Sequence, residues 1–228
     1  TEVDTLSLHD ALPISEFDKA YFETLDKIVT VSEECAAILK RRFPTQVNKI
    51  EVIFNIVSPK LIDKMADMQG NVLNQEETEN IHIISVGRLH HQKGFELSIK
   101  ACKLLVDKGY PITWHVIGEG EERARLTRLI SEYGLEKHFK LLGLKPNPYP
   151  YIKQADIYAQ TSMFEGKSIA IDEAKILNKP ILVTDFSTAK DQIENGVTGM
   201  IVSKSPGEIS KGLEILIRSE EHTSELQS

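Results

Sequence analysis

From Ile81 onward, short apolar runs rich in β-branched residues take turns with amphipathic segments of helical period. IHIISVG, ITWHVIG, FKLLG, ADIYAQT and PILVTDF have the length and composition of buried strands. KGFELSIKACKLLVDKG, EERARLTRLISEYG and SIAIDEAKILN carry helical spacing between them, and GEISKGLEILI begins a last helix. Gly109 stands just past the first of these helices, where a left-handed cap is expected. Strand–helix alternation at this spacing leaves little choice of fold. Parallel neighbours need a crossover, and the crossover helices cover both sheet faces. The expected class is α/β, a doubly wound, Rossmann-like parallel sheet, in which ligands bind at the carboxyl ends of the strands.

Residues 16–57 repeat the pattern once, as helix, strand, helix, strand. KIVTVS is a short strand, Ser32 caps EECAAILKRRF, Pro44 stops it, and IEVIFNIV is a second strand. Between Ser58 and Asn80 the chain turns polar and loses any period, so residues 58–80 are expected to be a linker and residues 81–217 a separate domain.

Both ends read differently. RSEEHTSELQS, residues 218–228, resembles the in-frame translation of a common sequencing adapter, and TLSLHDALPI, within residues 1–15, resembles that of its partner adapter. A flexible polar tail accounts for the composition of these ends but not for their match letter by letter. The expectation is that 1–15 and 218–228 are scars to be set aside from fold reasoning, and that TLSLHDALPI is no signal peptide. The formal net charge of −7 falls mostly on these ends, which leaves a nearly neutral remainder and speaks against a nucleic-acid binder. No apolar run approaches the roughly 18 residues of a membrane span. Cys35 and Cys102 lie far apart without metal-type spacing, as expected of free thiols.

The chemistry gathers at the expected strand ends. Gly-Lys-Ser at 166–168 looks like the close of a phosphate loop, but Thr161 occupies the place of its first glycine. Gly118-Glu119-Gly120 opens a helix after a strand, yet Arg123 stands where a dinucleotide fingerprint has its third glycine. That turn is open to two readings, a tight connection or a ligand contact. SVGRLHHQKGF is more informative. Gly87 lets the backbone turn, and Arg88 and Lys93 follow in a loop that leads into a helix N-terminus, a combination suited to a diphosphate. His90 and His91 have no third ligand at metal spacing and read as loop histidines. In FEGKSIAIDEA, Glu165 lies in a loop, Ser168 is placed to cap a helix, and Glu173 falls in that helix about one and a half turns on. Carboxylates on either side of a bound phosphate can accept hydrogen bonds from sugar hydroxyls. Taken alone, the pair could equally be an exposed loop acid and a helix-face acid. The Gly-Arg…Lys-Gly loop upstream is what favours a site.

These stretches in order, with HVIGEGEERARL, KPILVTD and ENGVTGMIV, resemble the C-terminal, donor-binding domain of the family 4 GT-B glycosyltransferases over about residues 81–202. TVSEECAAIL and VIFNIV resemble the tail of that family's N-terminal domain. The resemblance implies transfer of a hexosyl or related sugar from a nucleotide diphosphate sugar, with retention and without a metal or other cofactor. It assigns the diphosphate to Arg88 and Lys93 beside Gly87, the donor sugar to Glu165 with the amides of Gly166, Lys167 and Ser168, and the ribose to Glu173. Arg88, Lys93 and Glu165 would be the catalytic set. The acceptor, a glycan or lipid-linked glycan, would meet an N-terminal domain of which residues 16–57 are a remnant, so that this piece alone would bind donor without transferring it. EGKSIAIDEAK looks most like enzymes that build bacterial surface polysaccharides, which implies a cytoplasmic protein, peripheral to the inner membrane face at most. Two departures bear on sugar specificity. Lys167 and Ser168 stand where the family has an aromatic residue and a proline or glycine, and residues 187–192 replace Gly-Gly-x-x-Glu. The competing readings are a nucleotide-sugar epimerase or phosphorylase of the same fold, and a non-catalytic nucleotide-binding module.

Overall fold

The computed structural model describes residues 16–225 apart from 56, 69, 71 and 74–79. TLSLHDALPI and the end of the adapter-like tail lie outside the described residues. The first unit runs α1 (Glu16–Thr24), β1 (Ile28–Thr30), α2 (Glu33–Arg42), a 3-10 turn and β2 (Ile50–Val52). β1 and β2 pair in parallel, Ile28 opposite Ile50. Ser32 caps α2 as expected, its hydroxyl accepting from the Cys35 amide at 3.2 Å. Phe22, Ile28, Ala36, Leu39, Phe43 and Ile50 form a small core, with the Phe22 and Phe43 rings stacked at 4.2 Å between centroids. The second strand is shorter than IEVIFNIV suggested. It stops at Val52, and Ile53 and Phe54 are exposed.

The main sheet has six strands: β3 (Ile81–Val86), β4 (Ile112–Ile117), β5 (Phe139–Gly143), β6 (Ile157–Gln160), β7 (Ile181–Thr184) and β8 (Met200–Val202), in the order β5-β4-β3-β6-β7-β8. Every pairing is parallel. Side chains alternate between two cores, as a period of two requires. Ile83, Trp114, Ile157 and Leu182 point to the face covered by α4 (Phe95–Asp107), α5 (Arg123–Glu132) and α9 (Pro206–Glu225). Ile84, Tyr158, Ile181 and Val183 point to the other face, under α6 (Tyr149–Gln154), α7 (Ile169–Ile176) and α8 (Ala189–Gln192). A buried polar relay ties the central strands. The Trp114 indole donates to the Ser85 hydroxyl at 2.9 Å, and Ser85 donates to the Ala159 carbonyl at 2.6 Å. Both polar side chains are thereby satisfied without water.

The stretch expected to be a linker is built differently. Pro59–Ala66 forms helix α3, started by a proline in its first turn. Ile62, Ala66 and Leu73 are buried in the second core. The Asn147 amide donates to the Met65 carbonyl at 2.7 Å, and the amides of Val72 and Leu73 both donate to Gln154 Oε1. Part of 58–80 thus belongs to the main α/β unit. At the other end, α9 continues to Glu225; Ile209, Leu213 and Ile217 are buried, and Arg218 and Ser219 are exposed.

Candidate active site

β3 and β6 are neighbours in the sheet, but the chain leaves β3 towards β4 on one side and β6 towards β7 on the other. Their carboxyl ends are therefore the topological switch point. Two loops emerge there, 87–94 and 161–168, and they are sewn together. The Met163 amide donates to the Gln92 carbonyl at 2.7 Å, the Gln92 side chain donates to the Phe164 carbonyl at 3.1 Å, and the Thr161 hydroxyl meets the Lys93 and Gly94 carbonyls. Gly94 has φ 63°, and a Cβ there would lie 2.2 Å from the Thr161 carbonyl oxygen, so only glycine permits this approach. Thr161, which ruled out a phosphate loop, serves here as the splice between the two loops.

The tight connection read at Gly118-Glu119-Gly120 rests on the same kind of contact. A Cβ on Gly118 would fall 1.9 Å from the Gly87 carbonyl oxygen, and one on Gly120 would fall 2.3 Å from that of Leu89. The Leu89 amide donates to the Glu119 carbonyl and the Glu122 amide to the Leu89 carbonyl. These glycines let the β4–α5 turn pack under the 87–89 turn, which sets the floor of the site.

The sewing places Lys93 against Glu165. Lys93 Nζ lies 2.6 Å from Glu165 Oε1, with side chains 19% and 8% exposed. Ser162 donates to the same oxygen at 2.7 Å and the Gln160 amide at 3.3 Å. Among the described residues Oε2 accepts no hydrogen bond. Gly87 has its own reason. A Cβ there would touch the Lys93 stem at 3.0–3.3 Å, so its absence lets the stem lie flat across the β3 end. Arg88, by contrast, is exposed and forms no ion pair among the described residues. The two predicted diphosphate cations thus differ: one is already neutralised and the other is free.

Glu173 sits on α7 facing Tyr149, whose hydroxyl donates to Oε1 at 2.9 Å. Burial raises the Glu173 carboxyl above its ordinary range, opposed by the Tyr149 hydrogen bond and reinforced by Asp172. Burial and Glu173 together push Tyr149 up to about 12, so it remains a donor at neutral pH. A carboxyl raised by folding holds its proton more tightly in the native state. Its contribution to stability is full below the unfolded value of about 4.3 and is lost as pH rises through the folded value. Glu173→Gln should therefore raise the melting temperature at pH 8 and change it little at pH 4. A lower melting temperature at pH 8 would contradict this assignment.

The remaining predicted residues are placed with one correction. Ser168 has N-cap backbone geometry but makes no capping bond with its side chain; its hydroxyl donates instead to Gln160 Oε1 at 2.8 Å. Nor is its amide free, since it donates to Gln192 Oε1 at 2.9 Å. The amides of Gly166 and Lys167 have no partner among the described residues and remain available. The Lys167 ammonium lies 4.0 Å from Asp172 and 4.8 Å from the centre of the Phe54 ring. Gly166 and Lys167, with Thr188, Asp191 and Gln192, face Ser32, Glu33 and Phe54 of the first unit across a cavity of about 290 Å³. Two glutamines escaped the sequence reading. Gln160 receives Tyr158 and Ser168 and donates to Glu165, while Gln192 grips Ser168 at both N–H and C=O and reaches Asp172 at 3.0 Å. Gln192 ends the segment that departs from Gly-Gly-x-x-Glu, and that departure was the available signal. His90 pairs loosely with Glu121 at 3.4 Å, and among the described residues no three His, Cys, Asp or Glu side chains converge as metal ligands would.

A six-stranded doubly wound sheet with cations and carboxylates at its switch point is the architecture of one half of a GT-B glycosyltransferase. The chain belongs to the glycosyl transferases group 1 family, whose model matches residues 71–228. It is 27% identical over 179 residues to an uncharacterized glycosyltransferase of Methanocaldococcus jannaschii, covering 77% of this chain and 43% of that protein. It is 32% identical over 129 residues to the amylovoran biosynthesis glycosyltransferase AmsK of Erwinia amylovora, covering 53% of this chain and 32% of the relative. Among solved structures, Anabaena Alr3699/HepE in complex with UDP and glucose superposes with a TM-score of 0.74 at 20% identity, over 91% of this chain and 59% of that one. The chain thus spans less than half the length of these two curated relatives. Among the described residues no helix is long and apolar enough to cross a membrane.

Proposed function

We propose that this chain carries the donor-binding half of a retaining, family 4 glycosyltransferase that moves a hexosyl or related sugar from a nucleotide diphosphate sugar to a glycan or lipid-linked acceptor. The observation that carries the reading is the switch point itself. One free cation, Arg88, one ion-paired cation, Lys93, and a carboxylate with an open oxygen, Glu165, lie on two loops held in register beside the N-terminus of α4. Arg88, Lys93 and the helix end take the diphosphate. Glu165 Oε2 and the Gly166 and Lys167 amides take sugar hydroxyls, and Glu173, with Tyr149 behind it, takes the ribose. The UDP and glucose held by the Anabaena protein favour a nucleotide sugar of this kind, and the amylovoran biosynthesis relative favours the surface-polysaccharide reading. No metal or other cofactor is needed in this scheme, because the cations supply the charge that stabilises the leaving diphosphate.

We infer that the acceptor is held by the other half of the enzyme, that residues 16–57 are the remnant of that half, that 1–15 and 218–228 are scars, and that the chain alone binds donor without transferring it. A calorimetric screen of UDP, GDP and ADP and their sugar conjugates, with product formation followed against mixed glycan acceptors, tests both statements. Binding of one nucleotide family without product is the expected result. Binding of none overturns the donor site, and efficient transfer overturns the fragment reading.

A further inference from the structure

A cation meant for phosphate is here already spent on a carboxylate. Lys93 reaches Glu165 Oε1 at 2.6 Å, and the carboxylate is anchored on that same oxygen by Ser162 and Gln160. Neither anchor runs through Lys93. Oε2 stays open to a ligand.

We propose that Glu165 is a specificity-determining residue that makes the site discriminate against free nucleotide diphosphate in favour of the sugar conjugate, by competing for Lys93. This rests on the donor-site reading above. A free nucleotide diphosphate that recruits Lys93 strips Glu165 of its counter-charge. It also sets a terminal phosphate, ionised close to its full charge at neutral pH, beside a mostly buried carboxylate. The ionised terminal phosphate, which takes the place of the sugar beside Glu165, has no proton to donate to Oε2. A sugar conjugate takes the same lysine, but its terminal phosphate is esterified and carries one charge fewer. Its sugar hydroxyls then donate to the oxygen left open. The loss of the ion pair is offset for the conjugate and not for the free diphosphate. Arg88, exposed and unpaired among the described residues, is available to both ligands and has no carboxylate partner to lose. The same competition would help expel the spent nucleotide after transfer.

The test is calorimetric titration of the whole chain with UDP and UDP-glucose, or with GDP and GDP-mannose if that pair binds. Wild type, Glu165→Gln and Glu165→Asp are compared, and melting curves confirm that each variant is folded. Glu165→Gln keeps the shape and removes the charge. It should bind the free diphosphate about tenfold more tightly than wild type and the conjugate no more tightly, which shifts the ratio of the two dissociation constants towards the free diphosphate by tenfold or more. Glu165→Asp keeps the charge and should keep the wild-type ordering. An unchanged ratio in Glu165→Gln, or the same shift in both variants, overturns the inference and leaves the donor site standing. Failure of the wild type to bind any of these four ligands, or ADP and ADP-glucose, removes the donor-site reading itself.

Discussion

Lys93→Ala is expected to weaken binding of the nucleotide diphosphate sugar by roughly a hundredfold, about 3 kcal/mol, and to lower the stability of the free protein as well. The two losses have different origins. Binding suffers because the ammonium that the proposed function assigns to the diphosphate is gone. Stability suffers because Glu165, 8% exposed, is left with only the neutral donors Ser162 and Gln160. Removing one partner of such a pair costs about 2–3 kcal/mol where burial is incomplete. The double variant Lys93→Ala/Glu165→Gln separates them. It should recover most of the stability, since no charge remains unpaired, and none of the lost binding of the conjugate. Arg88→Ala should cost less binding, about 1–2 kcal/mol, with no loss of stability, because Arg88 is solvated and unpaired among the described residues. Urea denaturation and calorimetry on the four proteins check the pattern. Equal stability in wild type and Lys93→Ala would show that the ion pair has no energetic weight.

The parts that could be read from the sequence were those with long, clean periods. β3, β4, β6 and β7 are nearly continuous apolar runs because both sheet faces are covered, and α4 and α5 carry a full stripe. Besides the one-turn helix α8, Ala189–Gln192, three elements were missed for physical reasons. In α3, Ile62 and Ala66 supply only two buried positions inside a polar stretch. In α6, Tyr149-Pro150-Tyr151 looks like a turn, though Pro150 sits harmlessly in the first helical turn. In β8, Met200–Val202 is too short to stand out after ENGVTG. The second strand of the first unit was read too long because Ile53 and Phe54 are apolar, whereas both are exposed, with Phe54 lining the cleft. The site divides along the same line. Spacing within one loop or helix brought out Arg88 with Lys93 and Glu165 with Glu173. What joins Lys93 to Glu165 spans 72 residues, and what joins Ser168 to Gln192 spans 24. No local pattern encodes either, so the neutralised lysine and the occupied Ser168 amide emerge only when β3 and β6 lie side by side.

That adjacency rests on backbone approaches that can be tested without touching any charged group. Gly118→Ala is expected to do far more damage than one added methyl group usually does. Its Cβ would stand 1.9 Å from the Gly87 carbonyl oxygen and 2.9 Å from its carbon, and both are backbone atoms that cannot rotate aside. The residue also has φ 153°, which side chains rarely adopt. Either the β4–α5 turn lifts off the 87–89 turn or β3 shifts, and each breaks the hydrogen bond from the Gly87 amide to the Ile117 carbonyl. A loss of about 3–5 kcal/mol in stability follows. Nucleotide binding should weaken further than unfolding explains, because the displaced turn carries Arg88 and leads directly into the loop that holds Lys93. Gly109→Ala is the matching control. It too has positive φ, 84°, but its Cβ would meet nothing within 4 Å, so it should cost only the left-handed strain of about 1–2 kcal/mol and leave binding intact. Urea unfolding of both variants, with titration of UDP-glucose on the folded fraction, decides between strain and close approach. If the two glycines cost the same and both spare binding, the packing of the β4–α5 turn against Gly87 does not hold the site together, and the position of Arg88 must be set by the loop alone.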